Sequence, residues 1–476
     1  MADVVNLLET ISVSEDKDKG GNRVRHLRAF CIAALIALPT LGVYGQQTGE
    51  ITGTVTDPSS AVVTGATVTA TNTATQQART AASNDTGTYT LPYLQPGLYD
   101  LSAEKAGFKV IAHTGVNVQV GDIARIDFSM EVGTVSQKVL VTTGEPVLNT
   151  ESVSLGTVVG SQQITGLPLN GRDYLSLVAL TPNVVSEAPA SGSSGLQGGV
   201  RSATAIAIAG QRLEFNHYTL DGVENTDPNF NSYIIHPSID AIQEFRVQTG
   251  VYSAEFGKGA SQINATTLSG TNKYHLVAFE FLRNDFFDAK EWRQVGAKDP
   301  FRRNDYGFTL GGPLSIPKLF DAKDRLFFMS NFETLHDRLT TQEVGSTATL
   351  AMRSGDFSAS GIPQIYDPAT RVFTGASTGT ATPFVGNIIP PSRLSPQAIA
   401  LLNYFPVPTT PGSNLSGNYV RQALQPTDET QFNQRIDWIE NTKSSWFGRF
   451  SWEDDRSEPA VLFEQAGAAI TNTTVR

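Results

Sequence analysis

The sequence predicts a mainly β protein in three consecutive parts: a small β-sandwich, a polar α+β domain, and long antiparallel strands with one apolar face. Three observations predict it. β-Branched residues alternate with turn signals from Gln46 to about Val132, and Gly, Ser, Thr and Asn crowd the middle of the chain. Aromatic residues then concentrate at the end, with 15 in Met1–Asn272 and 27 in the shorter remainder, which also holds all four Trp. Only 17% of residues are charged, a composition that suits strands and turns better than helices.

The 476 residues leave room for three or so domains. Net charge is −11 with no Lys/Arg-rich run, so nucleic acid is not an expected partner. Residues 1–45 read as a secretory signal with an atypical acidic lead, Met1–Gly20, which suggests a misplaced start codon. Arg23, Arg25, His26 and Arg28 precede the apolar run Ala29–Leu38, Pro39 ends it, and Val43-Tyr44-Gly45 precede a cut at Gln46. A run of ten is too short to span a bilayer as a helix, although a buried cytosolic helix would read the same way. The only cysteine, Cys31, lies within this signal, so disulfides, Cys-ligated zinc and thiol catalysis are not expected after cleavage. Export predicts that the protein leaves the cytosol and begins near Gln46. Recovery from the cytosol with Met1–Leu38 intact would contradict that.

Within residues 46–132, strands are expected at Ile51–Asp57, at Ala66–Asn72, twice in Asn84–Phe108, and at Ile123–Met130. Turns fall at Asp85-Thr86-Gly87 and Gln95-Pro96-Gly97. Short strands so spaced imply a sandwich. The patterns G-T-V-T-D and N-D-T-G-T-Y, with the L-P-G-like turn, resemble the carboxypeptidase regulatory-like, prealbumin-type domain, which carries no catalytic residues of its own. A linker, 133–151, follows. Within it Val139, Leu140, Val141 and Thr142 form an extended apolar tetrad with no partner strand evident, readable also as the last strand of the sandwich.

Residues 152–272 form the polar domain, with a modest core expected from Leu167, Leu169, Leu175, Leu177, Val178 and Leu180 and a flexible loop at Ala188–Ala203. It carries LPLNGRDYLSLVALTPNV (Leu167–Val184), TLDGVE (Thr219–Glu224) and DAIQEFRVQTGVYSAEFGKGASQINATTLSGTN (Asp240–Asn272). These motifs resemble the plug of TonB-dependent outer-membrane transporters, in particular the Oar-like branch. The resemblance implies that Val139–Thr142 is a TonB box, to which a periplasmic energy-transducing protein of the TonB type adds a strand.

From residue 273 five strands are expected: Tyr274–Arg283, Asp305–Leu314, Arg325–Thr334, Gln431–Glu440 and Ser444–Glu453. In the fifth, Trp446, Phe450 and Trp452 share one face while Arg449 and Ser451 share the other. In the fourth, Phe432, Ile436 and Trp438 oppose Asn433, Arg435 and Asp437. Apolar-out, polar-in alternation over about ten residues marks a transmembrane barrel strand, although a soluble sandwich alternates in the same way. A long loop, 335–430, is expected outside the cell, with Ser395 and Pro396 opening a short helix to about Tyr404. The resemblance covers nearly everything after Gln46 and gives the predicted fold: prealbumin-like sandwich, α+β plug, then the first strands of a large antiparallel transmembrane β-barrel. Five strands cannot close a barrel of about 22, so an N-terminal fragment of a longer product, or a frame-shifted remnant, is expected.

No catalytic or cofactor-binding constellation is present. His26, His113, His217, His236, His275 and His336 show no paired metal spacing, and Gly257-Lys258-Gly259 is not a phosphate loop. Asp221, Glu224 and Asp227 form an oxygen-rich cluster readable as a calcium site or a plug turn, and His217 and His236 as ligands or packing residues. The implied function is energy-coupled transport without an enzymatic step. The implied partners are a TonB-type protein, outer-membrane lipid and an unidentified extracellular ligand such as a glycan or peptide. The alternative is a secreted adhesin that binds carbohydrate through the sandwich.

Overall fold

The computed structural model describes residues 48–133, 138–142, 155–187, 205–212, 215–227, 232–252, 259, 261–290, 292, 298–315, 321–375, 378–410, 415–458, 460–463 and 473–475. The expected signal and the loop Ala188–Ala203 lie outside the described residues.

Alternation builds the first part. Strand β1 (Gly49–Thr56) turns Ile51 and Val55 fully inward. The strands that follow are β2 (Thr67–Asn72), β3 (Ala78–Ala82), β4 (Thr88–Leu94), β5 (Gly97–Glu104), β6 (Val110–Val118), β7 (Ile123–Arg125), β8 (Phe128–Ser129) and β9 (Lys138–Thr142). One sheet runs β4-β1-β7 with β8 also on β1, and the other runs β3-β2-β5-β6-β9. Val68, Leu91, Tyr99, Leu101, Val116 and Phe128 join Ile51 and Val55 in the core between them. The expected strand Ile123–Met130 is broken into β7 and β8, both parallel to β1. Gly53 allows this close approach, since a Cβ there would lie 1.8 Å from the Ile126 carbonyl oxygen. Strands β3 and β6 are additions to the expected set, while β9 takes the alternative reading of the tetrad, the last strand of the sandwich.

The plug-like domain contains β10 (Gly156–Gly160), β11 (Val184–Glu187), β12 (Ala205–Ile208), β13 (Asn216–Leu220), β14 (Val223–Glu224), β15 (Thr226–Asp227), β16 (Ser232–Tyr233), β17 (Ile242–Gln248) and β18 (Ser261–Thr267). Its main sheet is β10-β17-β18-β13-β14. Leu175, Leu177 and Val178 are buried as expected, but Leu169 is half-buried and Leu167 and Leu180 are exposed. Leu167 caps the end of the helix Ser161–Gly166, and Leu180 is the last residue of the 3₁₀ turn Tyr174–Leu180. The core is completed from the sheet by Tyr218, Leu220, Phe245, Val247 and Ile263.

The third part contains β19 (His275–Asn284), β20 (Phe301–Pro313), β21 (Leu326–Gly345), β22 (Val372–Phe373), β23 (Gly379–Thr380), β24 (Tyr419–Ile439), β25 (Ser445–Ser457) and β26 (Thr473–Val475). Among the described residues, strands β19-β20-β21-β24-β25-β26 form an antiparallel sheet that is open, not a closed barrel. All five expected strands are present, and β26 gives β25 a neighbour. Strands β21 and β24 stay paired from Leu326↔Trp438 to Gly345↔Tyr419. The loop expected at 335–430 therefore shrinks to 346–418. The sequence does not mark the extra ribbon, because it lacks apolar alternation and is joined by polar pairs, such as His336–Asp428 at 2.7 Å and Arg338–Asp428 at 2.7 Å. The helix in the loop, Pro396–Leu402, is capped by Ser395 as expected and ends two residues early.

Register sorts the faces. Ala278, Phe308, Phe332, Phe432 and Trp452 lie side by side across the outer face, and Trp438 pairs with Trp446 nearer the turn. From Trp446 to the polar row Glu280–Tyr306–Thr334–Thr430–Asp454 is nine residues of β25, about 27 Å along the strand. That is the length of a membrane-spanning strand, about 9–11 residues. The inner face carries Glu333, Gln431 and Glu453 in one row and Arg435 beside Arg449 in another.

Candidate functional site where the plug-like domain meets the strands

The plug-like domain is seated on the inner face through buried opposite charges. Asp221 and Gly222 form a two-residue turn between β13 and β14 with φ of 51° and 79°, the left-handed pair such a hairpin turn requires. This turn carries the fully buried Asp221 carboxylate to the strands. Asp221 accepts from Arg435 Nη1 at 3.1 Å and forms an ion pair with Arg449, whose Nε lies 2.9 Å from its carboxylate. It also accepts from the Thr267 amide and hydroxyl at 2.9 and 2.8 Å. Arg435 in turn grips Asp437 at 2.9 Å, and Asp437 accepts from the Ser269 hydroxyl at 2.9 Å. The oxygen-rich cluster of TLDGVE is thus a turn whose Asp221 is bound by arginines. Among the described residues no His/Cys/Asp/Glu group could hold a metal ion.

A second contact centres on Arg172, in the left-handed NGR turn of Asn170–Arg172. Its Nη2 bonds Asp240 within the plug-like domain, while Nε reaches Glu333 at 3.0 Å and Asp305 at 3.7 Å on the strands. The guanidinium lies over the Phe279 ring, 3.8 Å from its centre. Further contacts run from the His236 amide to Glu453 at 2.8 Å and from the Ser238 amide to Gln431 at 2.9 Å. His236 itself is a packing residue, stacked on Tyr174 and bonded to Asp173 at 2.9 Å. Burial pulls its pKa down, but the Asp173 bond and the charges of Asp173, Glu429 and Glu453 outweigh that and hold it at about 9. His217 is likewise held inside the domain, by Gln262 at 2.5 Å and Glu224 at 2.7 Å. A cavity of about 450 Å³ opens between Arg172, His236, Asp305, Glu333 and Glu429.

The sandwich is fixed to the same assembly. The Val120 amide donates to Glu244 Oε1 at 2.5 Å, and Arg246 Nη1 donates to the Val120 carbonyl at 2.9 Å. Gln243 reaches the Pro96 carbonyl at 2.8 Å, and Arg79 reaches Thr442 and Ser445 at the turn between β24 and β25 at 3.2 and 3.1 Å. Burial lifts the Glu244 carboxyl; the Val120 bond and Arg246 oppose it, Asp122 adds to it, and the result is about 7. A raised acid pKa means that the folded state holds the proton more tightly. The associated stability is full below about pH 4.5 and is lost as pH rises through about 7. The difference corresponds to about 3 kcal/mol. Thermal unfolding between pH 4.5 and 8 should therefore show the wild type losing stability that Glu244→Gln, which keeps the acceptor, does not lose.

The tetrad Val139–Thr142 lies in β9, outermost in its sheet and parallel to β6, with Val139 opposite Ile111 and Leu140 opposite Ala112. The tetrad thus has a partner strand, β6, and stands as the last strand of that sheet, the alternative position that its sequence allowed.

Residues 266–476 match the outer membrane beta barrel domain, and residues 50–131 match the carboxypeptidase regulatory-like domain. The chain is a homologue of the TonB-dependent transporters, with an N-terminal regulatory-like domain and strands of an outer-membrane β-barrel. It is 27% identical over 308 residues to the TonB-dependent transporter Oar of Myxococcus xanthus, across 60% of this chain and 26% of that protein. It thus spans about a quarter of the length of this curated relative. Among solved structures, it is similar to the outer membrane transporter YddB from Escherichia coli, with TM-score 0.39, 12% identity, and coverage of 64% of this chain and 34% of that one. It is also similar to a mutant of the ferric enterobactin receptor PfeA from Pseudomonas aeruginosa, with TM-score 0.34, 12% identity, and coverage of 64% and 33%. The domain matches place the protein in the outer membrane of a Gram-negative bacterium.

Proposed function

We propose that the protein acts as a TonB-dependent, energy-coupled outer-membrane receptor and transporter for an unidentified ligand. The observation that carries this reading is the buried junction of Asp221 with Arg435 and Arg449, which seats a polar domain on the inner face of aromatic strands. A buried ion pair adds little net stability over an apolar contact but is costly to break from one side, so displacing the Asp221 turn would unseat the domain. In this reading residues 1–45 direct export, 46–132 form the regulatory-like domain, and 133–151 carry the TonB box Val139, Leu140, Val141 and Thr142. Residues 152–272 are the plug, and 273–476 supply barrel strands with an extracellular loop at 346–418. The relatives named above are transporters and receptors, in keeping with a role that has no catalytic step.

The test is affinity capture of the solubilised protein on the immobilised periplasmic domain of a TonB-type protein from the same cells. Retention of the wild type, and its loss on deletion of residues 139–142, supports coupling. Equal retention of both would remove it.

A further inference from the structure

We infer that the regulatory-like domain is a presentation platform: it holds Val139–Thr142 as a preformed strand whose free edge receives the strand of the periplasmic partner. This rests on the proposed role of that tetrad and adds how the segment is offered. Strand β9 is the terminal member of β3-β2-β5-β6-β9, so one edge of its backbone is engaged by β6. Among the described residues no strand pairs with the other edge. An exposed edge is a ready template for an added strand. A segment on a free tether must be ordered when it binds, whereas β9 is already extended and in register, so less conformational entropy is lost on association.

The platform is itself tied to the plug and to the turn between β24 and β25. Val120 exchanges bonds with Glu244 and Arg246, Gln243 holds Pro96, and Arg79 holds the turn at Thr442 and Ser445. The partner therefore meets β9 at a fixed place and extends the five-stranded sheet to six. The segment need not leave β6 to be recognised.

The test links β9 to β6 covalently without altering the tetrad. Val110 and Lys138 face each other in the pairing, one position before it. The variant Val110→Cys/Lys138→Cys, in a Cys31→Ser background, is compared oxidised and reduced for binding to the purified periplasmic domain of the TonB-type protein. The expected result is that the cross-link forms on mild oxidation and that the oxidised form binds at least as tightly as the reduced one. A tenfold or greater loss on oxidation, restored by reductant, would show that the segment must leave β6 and would overturn the proposal. Failure of the cross-link to form in the folded protein would overturn it too. The underlying reading is tested separately: Val139→Pro and Leu140→Pro remove donors from opposite edges of β9. If both bind the partner as the wild type does, the tetrad is not the coupling segment. If they weaken binding while oxidation abolishes it, only the platform is wrong.

Discussion

Replacing Asp221 with Asn should loosen the plug-like domain from the strands by about 3–5 kcal/mol, the cost of breaking a buried ion pair from one side. Asn keeps the size of the side chain and tolerates the left-handed backbone at φ of 51°, so the change isolates the charge. It leaves Arg435, 1% exposed, and Arg449 side by side on the strands, with Asp437 paired to Arg435. Chemical unfolding followed by tryptophan fluorescence, together with protease digestion of residues 155–272, reads the effect. The variant should unfold at lower denaturant and lose protection of the plug-like domain. Adding Arg449→Met to Asp221→Asn should recover part of the loss, because one uncompensated buried charge is removed. Purely additive losses would show that the two groups do not interact.

Leu140→Pro should weaken capture by the periplasmic partner at least about tenfold. Proline deletes the backbone donor on one edge of strand β9 and fixes φ, so the strand no longer keeps both its pairing with β6 and an added strand in register. One lost ladder bond with its strain amounts to roughly 1.4 kcal/mol, which is the tenfold change. The plug sheet β10-β17-β18-β13-β14 does not include this strand, so plug stability should be unchanged. Unfolding curves that match the wild type, alongside lost capture, separate coupling from folding. Unchanged capture would remove Leu140 from the coupling segment.

The faces of the strands were legible because period-two alternation is local. Trp446, Phe450 and Trp452 against Arg449 and Ser451 required only knowledge of the pleat, and the structure keeps that division. Arg435, Asp437 and Arg449 were therefore placed on the inner face from sequence, but their partner was not. Asp221 lies 214 residues before Arg435 in the chain, and only the tertiary arrangement of the β13–β14 turn joins them. Arg172, Asp240, Asp305 and Glu333 were missed for the same reason, although the Asn170-Gly171-Arg172 turn offered a hint of an exposed, aimed side chain. Strand β6 was missed because its VIAHTGVNV breaks alternation, with Val110, Ile111 and Ala112 buried in succession. Missing β6 left β9 without a visible neighbour.

The central claim is that one face of these strands meets lipid while the other holds a polar plug. Spin labels placed singly at 446, 450 and 452, and at 447, 449 and 451, in outer membranes of cells making the protein would test it. The first three should be relaxed by membrane-soluble oxygen and shielded from a water-soluble nickel reagent, while the second three should be shielded from oxygen. Equal access of both reagents to all six positions, or recovery of the protein outside the membrane fraction, would contradict it.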